Sequence, residues 1–233
     1  MAQRFQNAQS LFPSLRGGTG VAGHGEGVAE PDEGFGATVA CSQNVSQLCG
    51  FLIAGTAREI VETAVTRFGG LDVAVHNAAV TRDKPLVSMS VEDWDEVQRV
   101  NLRGAFLLSR QAVRLMLRRK AGRLIYLSSI SGVAGNAGQA NYAASKAGLH
   151  GLAKSVAQEY ARYNIRSVVV APGMLNTGLA DSIPSKVRDE KEARSLIGIC
   201  DSCSVAELIA FLASPVGDVV NATLVRADGG MAY

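Results

Sequence analysis

Gly122-Arg-Leu-Ile-Tyr-Leu-Ser-Ser129, together with the long helical pattern that opens at Tyr142, decides how this chain folds. Residues 123–129 are a short apolar run closed by two serines, too brief for a helix, and they read as a strand buried on both faces. Residues 142–163 carry apolar side chains at helical spacing, with Ala147, Leu149, Leu152, Val156 and Tyr160 as core candidates. Residues 166–171 then return to strand. Strand, long helix and strand in succession form a βαβ unit, which places two parallel neighbours in one sheet.

The same alternation extends outward on both sides. Residues 57–68 predict a helix with Ile60, Ala64, Val65 and Phe68 on one stripe, ended by Gly69-Gly70, and residues 71–75 predict a buried strand. Ser90-Val-Glu-Asp-Trp94 supplies a serine cap and early acidic residues for a further helix that runs through Val97, Val100 and Phe106 toward Lys120. Downstream, residues 205–213 predict a short apolar helix and residues 222–225 a last strand before Asp228-Gly229-Gly230. No internal repeat interrupts the pattern. The expected fold is α/β, a Rossmann-like doubly wound parallel sheet in a single domain over residues 17–233, with residues 1–16 as an N-terminal arm. Ligands of such sheets bind outside the carboxyl ends of the strands, which singles out Asn77, Ser129 and Pro172-Gly173.

Composition narrows the function classes. With 47% hydrophobic and 19% charged residues in 233, the chain is globular rather than disordered. A net charge of +2 gives no basic footprint for nucleic acid. The four cysteines, at 41, 49, 200 and 203, are too few and too scattered for a secreted disulfide framework, so reduced thiols in a cytoplasmic protein are expected. Cys200 and Cys203 form one C-x-x-C, but His24, His76 and His150 lack the spacing to complete a zinc site. No window approaches the ~18–20 apolar residues of a membrane span. Arg4 and Arg16 precede the first acidic residue, Glu26, as in transit peptides, and a loose arm explains them as well.

The N-terminal third is the hardest to place. Gly17-Gly18-Thr19-Gly20, followed by Gly23, Gly25 and Gly27, stands where a dinucleotide-binding loop belongs, making Thr19, Gly20, Gly25 and Gly27 candidate cofactor contacts. Such a loop needs an apolar strand before it and a helix N-terminus after it, because backbone N–H groups and the helix dipole hold the pyrophosphate. Pro13 breaks the first and Pro31, Gly34 and Gly36 crowd the second, so a flexible glycine loop without nucleotide is the competing reading.

Ser129, Tyr142 and Lys146 carry the chemistry. Tyr142 and Lys146 are one helical turn apart on one face. A phenol ionises near pH 10 and works as an acid or base near neutrality only if a nearby cation stabilises its phenolate, which Lys146 would supply. Ser129 would hydrogen-bond a substrate carbonyl and orient it toward the phenol. Spacing alone also fits an ordinary surface Tyr–Lys pair.

The surrounding sequence speaks for chemistry. Gly122-Arg-Leu-Ile-Tyr-Leu-Ser-Ser-Ile-Ser-Gly132 and Gly138-Gln-Ala-Asn-Tyr-Ala-Ala-Ser-Lys-Ala-Gly148 closely resemble the short-chain dehydrogenase/reductase family, and within it the bacterial 3-oxoacyl-acyl-carrier-protein reductases. The resemblance covers residues 57–233. Asp72-Val-Ala-Val-His-Asn-Ala-Ala79 resembles the family's strand and N-N-A-G, with His76 and Ala79 as departures. Thr81-Arg-Asp83, Glu92-Asp-Trp94, Phe211-Leu-Ala-Ser214 and Asp228-Gly-Gly-Met231 continue it. By resemblance Ser129 positions the carbonyl, Tyr142 donates the proton, Lys146 holds the ribose and lowers the tyrosine pKa, and Asn101 holds the water of a proton relay. Asn77, Ala78, Pro172, Gly173 and Thr177, with Tyr142 and Lys146, are the implied contacts to a nicotinamide cofactor. Outside the resemblance, Asn77 also reads as a turn residue, Thr177 as a helix start and Asn101 as a cap or bridge.

The resemblance implies NADPH-dependent reduction of a ketone, most simply a 3-oxoacyl thioester on acyl carrier protein or CoA, in fatty-acid or polyketide synthesis, by a homodimer or homotetramer. Gly36-Ala-Thr-Val-Ala-Cys-Ser42 resembles the family's second strand, arriving early. No acidic residue ends it to hold a ribose 2′-hydroxyl, which favours NADPH over NADH. Arg118, Arg119, Lys120 and Arg123 form a basic cluster that reads either as a solvated helix end or, with Arg162, as a docking point in which Lys120 and Arg162 meet an acidic carrier protein. Residues 184–204, the family's substrate lid, are shortened. The departures in the N-terminal third motivate a second expectation, a non-catalytic or weakly catalytic subunit that forms a heteromer with an intact reductase.

Overall fold

The computed structural model describes residues 39–40, 54–176, 188–189 and 192–231. The arm at 1–16, the glycine-run contacts Thr19, Gly20, Gly25 and Gly27, and Thr177 lie outside them. A sheet of five parallel strands follows chain order: β1 (Val39–Ala40), β2 (Val73–His76), β3 (Gly122–Leu127), β4 (Ile165–Pro172) and β5 (Leu224–Ala227). The crossovers carry α1 (Ala54–Phe68), α2 (Val91–Val97) and α3 (Gly104–Arg119) joined by a π turn (Gln98–Arg103), α4 (Ser131–Ala134), α5 (Ala140–Tyr160) and α6 (Ser202–Ala213).

Helices cover both faces of the sheet because its strands are apolar on both. Successive side chains of a strand point to opposite faces. Leu124 and Tyr126 accordingly pack with α1, α3 and α5 through Ala64, Ala112, Met116, Leu149 and Ala153. Ile125 and Leu127 pack the other way, with Val73, Val75, Val168 and Val170, against Val205, Ile209 and Leu212 of α6. This is the Rossmann-like α/β architecture expected of a single domain. At Gly122 a Cβ would lie 2.3 Å from Met116 Sδ, so only glycine lets β3 start beneath α3. No helix among the described residues is long and apolar enough to cross a membrane.

Several local expectations change. The helix predicted to run from Ser90 to Lys120 keeps its cap, since Ser90 and Asp93 form a reciprocal capping box, but the π turn divides it. A wider turn shifts the phase of all that follows, and Phe106 comes out 44% exposed. On α1 the buried stripe is Ala57, Val61 and Ala64, with Val65 turned outward, and on α5 Ala147 is exposed. The last strand begins two residues later than predicted because Ala222 takes the left-handed conformation at φ 56°.

The expected second strand at 36–42 is also corrected. Val39–Ala40 pairs directly with β2, Val39 against Val73 and Ala40 against Ala74, so no strand stands between it and β2, and among the described residues it is the end strand of the sheet. Among the described residues the strand order therefore runs from β1 to β5 without the reversal that marks a dinucleotide crevice.

Candidate active site

Parallel strands all end at one edge of their sheet, and that edge gathers residues far apart in the chain. Asn77 and Ala78 follow β2, Ser129 follows β3, and Pro172 and Gly173 close β4. Backbone bonds tie these ends together: Ser128 N donates to Val170 O (2.8 Å), Ile130 N to Pro172 O (2.9 Å) and Gly173 N to Ala227 O (3.0 Å). The first turns of α5 lie over this edge and bring Tyr142 and Lys146 to it.

Tyr142 is buried and its hydroxyl lies near the Ser129 side chain. Burial pushes the phenol up to about 12, against which the Ser129 hydroxyl pulls down, while the nearby Asp83 carboxylate adds a smaller upward push. Lys146 is also buried; its Nζ lies 5.6 Å from the centre of the Tyr142 ring and donates to Leu127 O at 2.5 Å. Desolvation lowers its ammonium to about 8. Desolvation is thus the largest influence on the phenol in this site. A phenol held neutral in this way is in the form that donates a proton.

Asn101 sits in the π turn and is 2% exposed. Its Oδ1 accepts from Val80 N (2.8 Å), and its Nδ2 donates to Val80 O (3.0 Å) and Ser145 Oγ (3.0 Å). The side-chain amide thereby locks the segment after β2 against α5. It bridges elements, as one of its two sequence readings expects.

Two polar anchors of the site escape sequence reading. Asn141, fully buried, donates from Nδ2 to Arg82 O (2.9 Å) and accepts from Tyr142 N at Oδ1 (2.7 Å). Gln98 Nε2 donates to Asn141 O (2.8 Å). Together they seat the first turn of α5. Asn141 stands immediately before Tyr142, and that adjacency is the only local signal for it.

Comparison with known proteins agrees with this geometry. The family model described as enoyl-(acyl carrier protein) reductase matches residues 25–232. A 3-oxoacyl-[acyl-carrier-protein] reductase of Thermotoga maritima is 42% identical over 175 residues, 75% of this chain and 71% of that protein. Proteins of the same name from Staphylococcus aureus and Vibrio cholerae are 37% identical over 179 residues (76% and 73% of the two chains) and 39% over 175 (74% and 72%). The chain belongs to the short-chain dehydrogenase/reductase family.

Members of this family are NAD(P)-dependent oxidoreductases, and the carboxyl edge of the sheet fits the nicotinamide end of such a cofactor. Lys146 offers a buried ammonium there that donates to the Leu127 carbonyl, and Asn77, Ala78, Pro172 and Gly173 stand at the neighbouring strand ends. The residues expected at the phosphates lie outside the described ones. Lys120 and Arg162 are both exposed, Arg162 stacked on Tyr163 with its guanidinium 4.8 Å from the ring. Each sits just ahead of a strand, β3 or β4, at the edge of the sheet opposite Tyr142. The length of β3, about 20 Å for a six-residue strand, separates Lys120 from Ser129.

Proposed function

We propose that this protein reduces the ketone of a 3-oxoacyl thioester, carried on acyl carrier protein or CoA, to the 3-hydroxyacyl form with NADPH, as a cytoplasmic enzyme of fatty-acid or polyketide synthesis. The observation that carries the proposal is Tyr142: a buried phenol kept protonated, near the Ser129 hydroxyl, with the Lys146 ammonium 5.6 Å from its ring. Two hydroxyls converging on one point suit a carbonyl oxygen, which needs donors where negative charge develops. That favours ketone reduction over the double-bond reduction named by the family model.

In this reading Ser129 holds the carbonyl oxygen and Tyr142 delivers its proton to that oxygen. The nicotinamide, when bound, supplies the hydride. Lys146 then stabilises the phenolate left behind, and water held at the π turn around Asn101 returns a proton through Lys146. Lys146 and Tyr142 would hold the ribose, with Asn77, Ala78, Pro172, Gly173 and Thr177 around the nicotinamide and Thr19, Gly20, Gly25 and Gly27 at the phosphates.

The relatives' names support an acyl carrier protein as partner. Docking on Lys120 and Arg162 would place the carrier at the far edge of the sheet, so the acyl arm would serve the site of an adjoining subunit in a homodimer or homotetramer. Lys120→Glu and Arg162→Glu should then raise KM for the carrier-bound substrate and leave the CoA thioester unaffected.

The deciding experiment titrates the protein with NADPH and NADH by nicotinamide fluorescence, then follows turnover of 3-oxoacyl and enoyl thioesters. Saturable NADPH binding with 3-oxoacyl turnover that Tyr142→Phe abolishes is expected. A second reading, a reductase-like subunit that works in a heteromer, draws on the glycine run, in which Gly25 and Gly27 follow Thr19-Gly20 one residue farther along than in the family's T-G-x-x-x-G-x-G. Absence of binding alone, with activity restored on mixing with a homologous reductase, would favour it.

A further inference from the structure

Successive residues at the end of β3 hold α5. Leu127 O accepts from Lys146 Nζ and Ser128 Oγ donates to Lys146 O at 3.0 Å, and the next residue, Ser129, brings its hydroxyl near Tyr142. The middle contact sets the other two, since Ser128 is the link between the carbonyl that receives the ammonium and the hydroxyl that meets the phenol. Ser128 is 5% exposed and its hydroxyl has a second neighbour, His150 Nε2 at 2.7 Å, one turn beyond Lys146 on the same helix.

The direction of that bond follows from counting protons. A serine hydroxyl has one hydrogen, and a carbonyl can only accept, so the Ser128 hydrogen goes to Lys146 O. Ser128 Oγ must then accept from His150, which requires a hydrogen on Nε2. The backbone of the same helical turn and this imidazole therefore enclose Ser128 from two sides. Without the imidazole donor, the hydroxyl loses one of its two partners and is held by the Lys146 O bond alone.

We infer that His150 is a positioning residue for the reaction: its Nε2–H fixes Ser128, and through Ser128 it keeps the Ser129 hydroxyl and the Lys146 ammonium in register with Tyr142. This rests on the reductase reading above. It concerns alignment in the transition state, so it bears on kcat more than on KM. One neutral hydrogen bond contributes about 0.5–1.5 kcal/mol, which corresponds to roughly a two- to tenfold change in rate.

Two measurements test it. In His150→Leu, kcat for the 3-oxoacyl thioester should fall about three- to tenfold with KM changed less than about twofold, and His150→Gln, whose amide donates from a similar reach, should recover most of the loss. Long-range 1H–15N spectra of protein labelled at histidine nitrogen should show His150, assigned by its loss in His150→Gln, with its proton on Nε2, and Ser128→Ala should shift that signal. Wild-type kcat in His150→Leu, equal impairment of the leucine and glutamine variants, or a proton on Nδ1 would each overturn the inference. Loss of the reductase reading would show differently, as full activity in Tyr142→Phe or no turnover by the wild type, with the nitrogen spectra unaffected.

Discussion

Lys146 lies beneath Tyr142, its ammonium 5.6 Å from the centre of the phenol ring and 2.5 Å from the Leu127 carbonyl oxygen. A cation so placed stabilises the phenolate formed when Tyr142 gives up its proton. Lys146→Met fills the same space without the charge, and should lower kcat on the order of a hundredfold or more while the thermal unfolding curve stays cooperative. Retention of more than a tenth of the wild-type kcat by that variant would show that the charge is not needed. Tyr142→Phe should lose at least as much.

Burial of Lys146 also has a consequence for stability. Its ammonium is lowered to about 8 from 10.5, so between those pH values the unfolded chain holds a proton that the native chain has released. Stability then rises with pH across that window, by at most about 1.4 kcal/mol per pH unit. Tyr142, raised to about 12 from 10.0, acts oppositely above pH 10, where the native chain keeps a proton the unfolded chain loses. Urea unfolding between pH 8 and 10 should therefore show a rise that Lys146→Met removes. An identical slope in the two proteins would contradict it.

His76 governs the acid side. Its ring stacks on Tyr126 with centroids 4.4 Å apart, and Nε2 lies 3.2 Å from Ser109 Oγ, which gives its own hydrogen to Ala105 O. Desolvation drops the imidazole to about 3 from 6.5, so as pH falls below 6.5 the unfolded chain takes up a proton that the native chain refuses. Stability is lost through that window, by up to about 1.4 kcal/mol per unit. His76→Gln should be less stable at pH 7 and less sensitive between pH 7 and 5. Parallel pH profiles for the two would be inconsistent with a buried neutral ring.

The sheet was legible because its strands are buried on both faces and read as unbroken apolar runs, and because Ser90 and Asp93 announce a helix start in four residues. Phase was harder. A π turn carries no local signature, so the shift that exposes Phe106 comes only from tertiary packing, and Ala222 adopts a left-handed conformation that alanine does not advertise. Tyr142, Ser129 and Lys146 were legible through spacing and the motifs around them. The upward push of burial on Tyr142 was not, because spacing counts neighbouring charges but cannot weigh desolvation. Asn141, Ser128 and His150 contribute through contacts between segments distant in sequence, which no periodicity encodes.

Asn101 offers the sharpest division between fold and chemistry. Its amide makes three bonds at once, accepting from Val80 N and donating to Val80 O and Ser145 Oγ. Asn101→Ala leaves a part-buried N–H and C=O at Val80 without their side-chain partner, at a cost of at most about 1–3 kcal/mol for each group left unsatisfied. Asn101→Asp keeps the acceptor toward Val80 N but turns the donor into a second acceptor facing Val80 O, and adds a buried charge, so it should be at least as destabilising as alanine. Because the clamp joins the end of β2 to α5, both variants should also weaken binding of the nicotinamide cofactor more than they alter the pH profile set by Lys146. If Asn101→Ala unfolds in urea at the wild-type midpoint while losing activity, the side chain would have a direct chemical role and the clamp would be incidental.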